Sequence, residues 1–213
     1  MSTTKEKYME FKIKRLMENL HKRGMRGHYC KSTDELVEVT MKLVKDGDTV
    51  ASGGSMTLAE SGIKDMLASM PDINFLDRDS CKTDAEVEEI FRKAFYANVY
   101  FMSTNAITED GVLVNIDGRG NRAAALIFGP ERVVIIAGVN KITTTLDEAI
   151  LRARTVSGPM NCMRLNKKTP CTVSGVCQDC LSDDSICSQF VITRKSTTPD
   201  RIHIILVNSE FGF

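Results

Sequence analysis

Residues 133–136 read Val-Val-Ile-Ile and follow the chain break Gly129-Pro130. A β-branched run of this kind is typical of a strand buried on both faces, which requires covering layers above and below it. A second apolar run, aromatic in character, occupies residues 97–102, and shorter extended pieces are predicted at 28–30, 50–51, 74–76 and 112–116. Helical patterns alternate with these strands. Met9, Ile13, Leu16, Met17 and Leu20 draw one stripe along residues 5–23, which Gly24 can end. Ser32 with Glu35, Thr83 with Glu86, and Thr145 with Glu148 have capping-box spacing at the starts of three more helices, predicted to run through Val44, Phe95 and Arg154. Leu58, Ile63, Met66 and Leu67 share a helical face, and residues 121–128 form a short alanine-rich helix. Strands alternating with helices at this spacing predict an α/β fold: a Rossmann-like, open, mostly parallel sheet with helices on both faces. Ligands in such sheets bind beyond the carboxyl ends of the strands.

Two polar loops fall at those ends. Val50 and Ala51 feed Ser52-Gly53-Gly54-Ser55, and a helix carrying Thr57 follows. Strand, small-residue loop and helix N-terminus is a recipe for holding an anion, because unpaired backbone N–H groups and the helix dipole point at the loop. The glycines lack the following Lys-Ser/Thr of a phosphate-binding P-loop and do not make the dinucleotide fingerprint, so a tight turn capped by Ser55 or Thr57 is the competing reading. The second loop spans residues 103–122 and collects Asn105, Glu109, Asp110, Asn115, Asp117, Arg119, Asn121 and Arg122 among glycines. Arg119 and Arg122 can clamp a carboxylate or phosphate, or pair with Asp117 or Asp110. Asn105 and Asn121 can orient a ligand or close Asx turns. The expected ligand is a small anionic metabolite.

After Gly158-Pro159 the composition shifts to Pro, Gly, Ser, Thr and Asp, with four cysteines spaced Cys171-x5-Cys177-x2-Cys180-x6-Cys187. Such a loop has few apolar residues to hold it together, and thiolates on a metal would supply that energy. An iron–sulfur cluster and zinc both accept four thiolates, and the spacing leaves the choice open. Cys162 is near this set and outside its spacing, a spare ligand at most. Cys30 and Cys81 read as packing or surface residues, and His21, His28 and His203 have no partner by spacing. Residues 190–194 and 201–208 are predicted to close the chain as a terminal β pair.

Composition narrows the partners. Lysine plus arginine equals aspartate plus glutamate at 28 each in 213 residues, so no overall positive field gathers nucleic acid or anionic lipid. The N-terminus is too charged for a signal peptide, and no apolar run reaches bilayer-crossing length, which predicts a cytoplasmic protein without membrane partners. Self-association into a homo-oligomer is compatible with this. In a reducing compartment seven cysteines are not a disulfide framework.

The pieces GGSMTLAESGI at 53–63, NFLDRD at 74–79, TNAITEDGVLVNIDGRGNR at 104–122, FGPERVVIIAGVNKI at 128–142, and RLNKKTPC with the cysteines after it give the chain a resemblance, over nearly its full length, to the lactate utilization (LUD) domain family in its short form with a cysteine-rich tail. The resemblance implies one domain over 1–213: an N-terminal helix at 1–24, an α/β core at 25–158 similar to the NagB/RpiA/CoA transferase group, a cysteine-rich metal loop at 159–188, and terminal strands at 189–213. It also implies a link with oxidation of lactate, a 2-hydroxy acid, beside iron–sulfur oxidoreductase subunits, without supplying a mechanism. Within the wider group, residues 108–113 resemble the Glu-Asn-Gly segment of CoA transferases, which would make Glu109 a nucleophile toward acyl-CoA. Asp110 departs from that pattern, and its charge would hinder the attack. A non-catalytic metabolite-binding module with a structural metal is the remaining alternative.

Overall fold

The computed structural model describes residues 3–213. Six strands, β1 (Arg26–Cys30), β2 (Thr49–Ser52), β3 (Asn74–Leu76), β4 (Val99–Met102), β7 (Arg132–Gly138) and β10 (Ile202–Val207), make a wholly parallel sheet in the order β1-β10-β7-β4-β2-β3. The intervening strands β5 (Ala106–Thr108), β6 (Leu113–Asp117), β8 (Ile142–Thr143) and β9 (Gln189–Thr193) form a second, mixed sheet in the order β8-β5-β6-β9. Val133, Val134, Ile135 and Ile136 of β7 are all fully buried, as the β-branched run requires.

Helices cover both faces of the large sheet. On one side Ile13, Leu16 and Leu20 of α1 (Thr4–Lys22) and Ala125 and Leu126 of α6 (Asn121–Ile127) pack on Tyr100, Met102, Val133, Ile135, Ile204 and Leu206. On the other, Leu36 and Leu43 of α2 (Thr33–Leu43), Leu58 of α3 (Met56–Glu60), and Ile63 and Leu67 of α4 (Ile63–Ser69) pack on Val50, Phe101, Val134, Ile136, Ile205 and Val207. Each fully buried leucine or isoleucine contributes about 1.5–3 kcal/mol of transfer free energy, so these two layers supply most of the cohesion.

Two of the three expected capping boxes close. Thr83 closes a reciprocal box with Glu86 at α5 (Asp84–Lys93), and Thr145 does so with Glu148 at α7 (Leu146–Arg152). At α2, Ser32 accepts from Glu35 N, while the Glu35 carboxylate takes Lys31 N at 2.7 Å instead of closing the box. No residue of α5 is buried. Its Phe91 is instead a platform for the guanidinium groups of Arg78 and Arg119, each 5.9 Å from the ring centre.

Two expectations are corrected. The terminal strands form but do not pair with each other: β9 adds antiparallel to β6, and β10 enters the middle of the parallel sheet between β1 and β7. The reason lies in β10 itself, where Ile205 and Val207 face the second core while Ile202, Ile204 and Leu206 face the first. A strand apolar on both sides loses burial energy anywhere except the interior. The change of character at Gly158-Pro159 does not break the helical path either. From α7 the chain passes through a π-helical segment, Ala153–Ser157, into α8 (Gly158–Arg164), where Pro159 lies in the first turn and its missing N–H is tolerated. A short helix α9 (Pro170–Ser174) follows, so the cysteine-bearing stretch begins as helix and becomes irregular only after it.

Candidate functional site

The carboxyl ends of β2, β4 and β7 lie side by side, and the segments leaving them wall a cleft of about 450 Å³. β2 delivers Gly54, Ser55 and Thr57; β4 delivers Ser103, Thr104 and Asn105; β7 delivers Lys141. β6 and the turn after it add Asp117, Arg119, Asn121 and Arg122, and α8 closes one side with Arg164. The two polar loops therefore meet in one cavity, which spacing alone could not establish. Gly53 stands immediately behind the wall. A Cβ there would come within 3.2 Å of Arg122 Cδ and 3.0 Å of the Tyr100 hydroxyl, so glycine lets the arginine pass.

Both helix N-termini beside the polar loops carry an acceptor of their own. α3 has five residues, and its first turn is capped by Ser55, whose Oγ accepts from Leu58 N at 3.3 Å. At α6 the Asp117 carboxylate already occupies the N-terminus, accepting from Gly120 N and Ala123 N at 3.0 Å each. Charge in the cleft comes from side chains instead. Arg122 is the organiser: it donates to Ser103 O (2.9 Å), Asn115 Oδ1 (2.7 Å), Asn105 Oδ1 (3.3 Å) and Ile116 O (2.7 Å), and lies 3.5 Å from Asp117. Asn105 is a clasp in this network, its Oδ1 also accepting from Ile116 N at 2.8 Å and its carbonyl from Arg152 at 2.6 Å. Arg119, expected to pair with Asp117 or Asp110, reaches Glu88 at 3.0 Å from the rim.

The residue that sequence reasoning missed is Lys141. Only 2% exposed, its ammonium donates to Thr57 Oγ1 (2.9 Å), Ser103 Oγ (3.0 Å) and Thr104 O (3.2 Å), and among the described residues no carboxylate pairs with it. Burial, then the nearby positive charges of Arg152 and Arg122, push its pKa down to about 7 against a smaller upward pull from the Glu60 carboxylate. Its one sequence signal was position: a lysine in the turn after a wholly apolar strand, at the end of the sheet where ligands bind. Arg164 is the second cation of the wall without an acidic partner among the described residues, its guanidinium resting on Asn161 Oδ1 at 3.0–3.2 Å. Arg78 and Lys167 also line the cleft, the latter paired with Asp184 at 2.8 Å.

Glu109 is elsewhere. The turn between β5 and β6 carries it to α1, where its carboxylate takes Lys12 at 2.9 Å and Arg15, and its carbonyl accepts from Asn19 Nδ2 at 3.0 Å. Only 6% exposed and neutralised by two cations, it is outside the cleft and faces no ligand space. Its role is to tie α1 to the second sheet, with Asp110 beside it held by Arg23. Glu109→Gln is therefore expected to lower the urea midpoint, by the equivalent of about 1–2 kcal/mol, and to leave ligand binding in the cleft unchanged. A loss of binding with unaltered stability would return Glu109 to the site.

The cysteines gather at the far side of α8. Cys162 and Cys171 are both buried and their thiols touch, with Thr169 Oγ1 3.2 Å from Cys171 Sγ. Cys187 packs against the small cluster of Ala106, Val114, Ile116, Ala149 and Ala153, and its thiol is pushed up to about 11, first by burial and then by Cys162, Cys177, Cys171 and Cys180. Cys187 thus feels the other four thiols of the segment, Cys162 included, and a soft, all-sulfur donor set suits zinc or an iron–sulfur cluster. Among the described residues no three of them stand at metal-holding distance. Cys177 lies against a hollow of about 260 Å³ bounded by Asp147, Ile150, Leu151, Arg154 and Thr155.

An α/β sheet with a basic cleft at its carboxyl edge and a thiol-rich flap is the class of protein that the structure defines. The chain belongs to the LUD domain family, whose model matches residues 13–207, a family associated with lactate utilization in general. No curated protein matches it. Among solved structures it is similar to a DUF162 family protein from Deinococcus radiodurans, at 11% identity and a TM-score of 0.50 over 93% of this chain and 97% of that one. It overlaps more loosely with eIF2B beta from Chaetomium thermophilum, at 13% identity, 55% of this chain, 44% of that one and a TM-score of 0.36. Ribose 5-phosphate isomerase from Plasmodium falciparum gives 16% identity, 53% of this chain, 52% of that one and a TM-score of 0.33. Among the described residues no helix is long and apolar enough to cross a membrane.

Proposed function

We propose that the cleft binds a small carboxylate, lactate or a related 2-hydroxy or 2-oxo acid, and that the protein serves as an accessory or subunit of an iron–sulfur redox system acting on such acids. The observation that carries this reading is the excess of lysine and arginine over aspartate along the cleft wall. Among the described residues neither the buried Lys141 nor the exposed Arg164 has a carboxylate within ion-pair distance, Arg152 and Arg122 add to the potential, and an anion entering the cleft would offset the cost of burying the lysine when it is charged. The open volume of about 450 Å³ accommodates a small metabolite with its waters. Glu109 is not part of this reading, so the transferase alternative loses its nucleophile.

Cys171, Cys177, Cys180 and Cys187 are the proposed holders of the metal group. When bound, an iron–sulfur cluster would supply one-electron chemistry, and zinc would only fasten the loop. Iron–sulfur oxidoreductase subunits are the proposed partners.

Calorimetric titration of the purified protein with L-lactate and pyruvate tests the pocket. Saturable binding that weakens at least about tenfold in Arg164→Ala is expected, and no saturable heat with either acid overturns the reading. Anaerobic purification with iron, zinc and acid-labile sulfide analysis tests the cysteines: iron with stoichiometric sulfide, lost in Cys177→Ser/Cys180→Ser, is the expected result. Zinc without sulfide assigns the loop a fastening role, and no metal removes the proposed group.

A further inference from the structure

One pair of side chains in the cleft has a geometry that holding an anion does not require. Ser103 directly follows β4, lines the cleft and keeps 6% of its surface exposed, with Oγ 3.0 Å from Lys141 Nζ. Its carbonyl is pinned by Arg122 at 2.9 Å, so the hydroxyl is presented from a fixed corner of backbone.

The hydrogen bonds around Lys141 set their own direction. Thr104 O can only accept. Thr57 Oγ1 donates its proton to Phe211 O at 3.2 Å, so toward Lys141 it too is an acceptor. A neutral Lys141 amine spends its two N–H bonds on these two oxygens, which turns its lone pair toward the Ser103 hydroxyl at 3.0 Å, a shorter path for that proton than its other acceptor, Thr104 O, at 3.4 Å. A hydroxyl within hydrogen-bond reach of an amine held by two further acceptors is the arrangement of a nucleophile with its general base.

We propose that Ser103 and Lys141 form a serine–lysine dyad that hydrolyses small esters or thioesters bearing a negatively charged group. Lys141 Nζ takes the Ser103 proton as Oγ bonds to the acyl carbon and the carbonyl electron pair moves onto oxygen. Collapse restores the carbonyl and breaks the bond to the leaving alcohol or thiol, which receives the proton from the Lys141 ammonium. Water, deprotonated by Lys141, then releases the acid and regenerates Ser103. Burial beside Arg152 and Arg122 leaves much of the amine neutral at physiological pH, as a base of this kind needs. The choice of an anionic substrate rests on the pocket reading above, with Arg164 and Arg78 lining the same cleft; the dyad itself does not.

The full chain is treated with an uncharged fluorophosphonate probe and the modified peptide mapped by mass spectrometry. Labelling at Ser103 is expected, absent in Ser103→Ala and slowed at least about 100-fold in Lys141→Arg, whose guanidinium cannot act as base. In the wild type the rate should rise with pH through the neutral range and level off above it. Folded wild-type protein that takes no label at Ser103, or takes it at a pH-independent rate, overturns the dyad whether or not the arginine variant folds. Lactate titration of the wild type separates the two ideas: binding without labelling at Ser103 removes the dyad alone, and labelling without binding removes the anion reading alone.

Discussion

Replacing Arg122 by alanine is expected to destabilise this protein more than any other single change in the cleft, by about 3–5 kcal/mol, because five groups lose their partner at once. The carbonyls of Ser103 and Ile116, the side-chain oxygens of Asn105 and Asn115, and the Asp117 carboxylate all converge on its guanidinium. Asn115 is fully buried and among the described residues its Nδ2 has no partner, so there Arg122 provides its only side-chain hydrogen bond. Asp117 is left as a buried carboxylate with backbone N–H groups but no cation. A domain of this size has a total stability of about 5–15 kcal/mol, so the variant should lose on the order of 10 °C of melting temperature. Thermal and urea unfolding check this, and a loss below about 1 kcal/mol would show that water replaces the guanidinium without cost.

Lys141→Met is expected to act in the opposite direction on stability and to remove ligand binding. Below about pH 7 the lysine is charged and buried, with no carboxylate within ion-pair distance among the described residues, whereas methionine fills a similar volume at no electrostatic cost. The hydroxyls it abandons keep other acceptors, Phe211 O for Thr57 and Thr104 O for Ser103. A gain of about 1–3 kcal/mol below neutral pH follows. The sign with pH is fixed by the depressed value. Above pH 10.5 the amine is neutral in both folded and unfolded chains and burial carries no charge penalty. As pH falls toward about 7 the unfolded chain takes up a proton that the folded one resists, and wild-type stability declines. The advantage of the methionine variant should therefore be largest below pH 7 and close toward pH 10.5. Urea midpoints across this range, with lactate titration at each end, measure both effects; a destabilised variant would show that the lysine is held more favourably than its burial implies.

The large sheet and most of its helices were legible because their signals are local. Val133 to Ile136 cannot be solvated on either face, and Thr83 with Glu86 caps a helix wherever that segment goes. The clustering of cysteines, the polar character of both loops and the family resemblance were likewise readable from residue order, and the residues singled out for the pocket, Ser55, Thr57, Asn105, Asp117, Asn121 and Arg122 among them, do line one cleft. What residue order could not give was the identity of each partner. Arg119 finds Glu88, Glu109 finds Lys12 and Arg15, and the His28 and His203 rings stack with their nitrogens 3.1 Å apart because β1 and β10 are neighbours in the sheet.

The sequence by itself determined the layers of this protein, since hydrophobic periodicity and capping act over a few residues and need no knowledge of the rest of the chain. Only the tertiary structure decided the site. It set β10 between β1 and β7, carried Glu109 away to α1, and brought Lys141 against Thr57 and Ser103, residues 84 and 38 positions away in the chain. Burial, which shifts the lysine and fixes the direction of its hydrogen bonds, is a property of what surrounds a group in space, and no spacing along the chain encodes it.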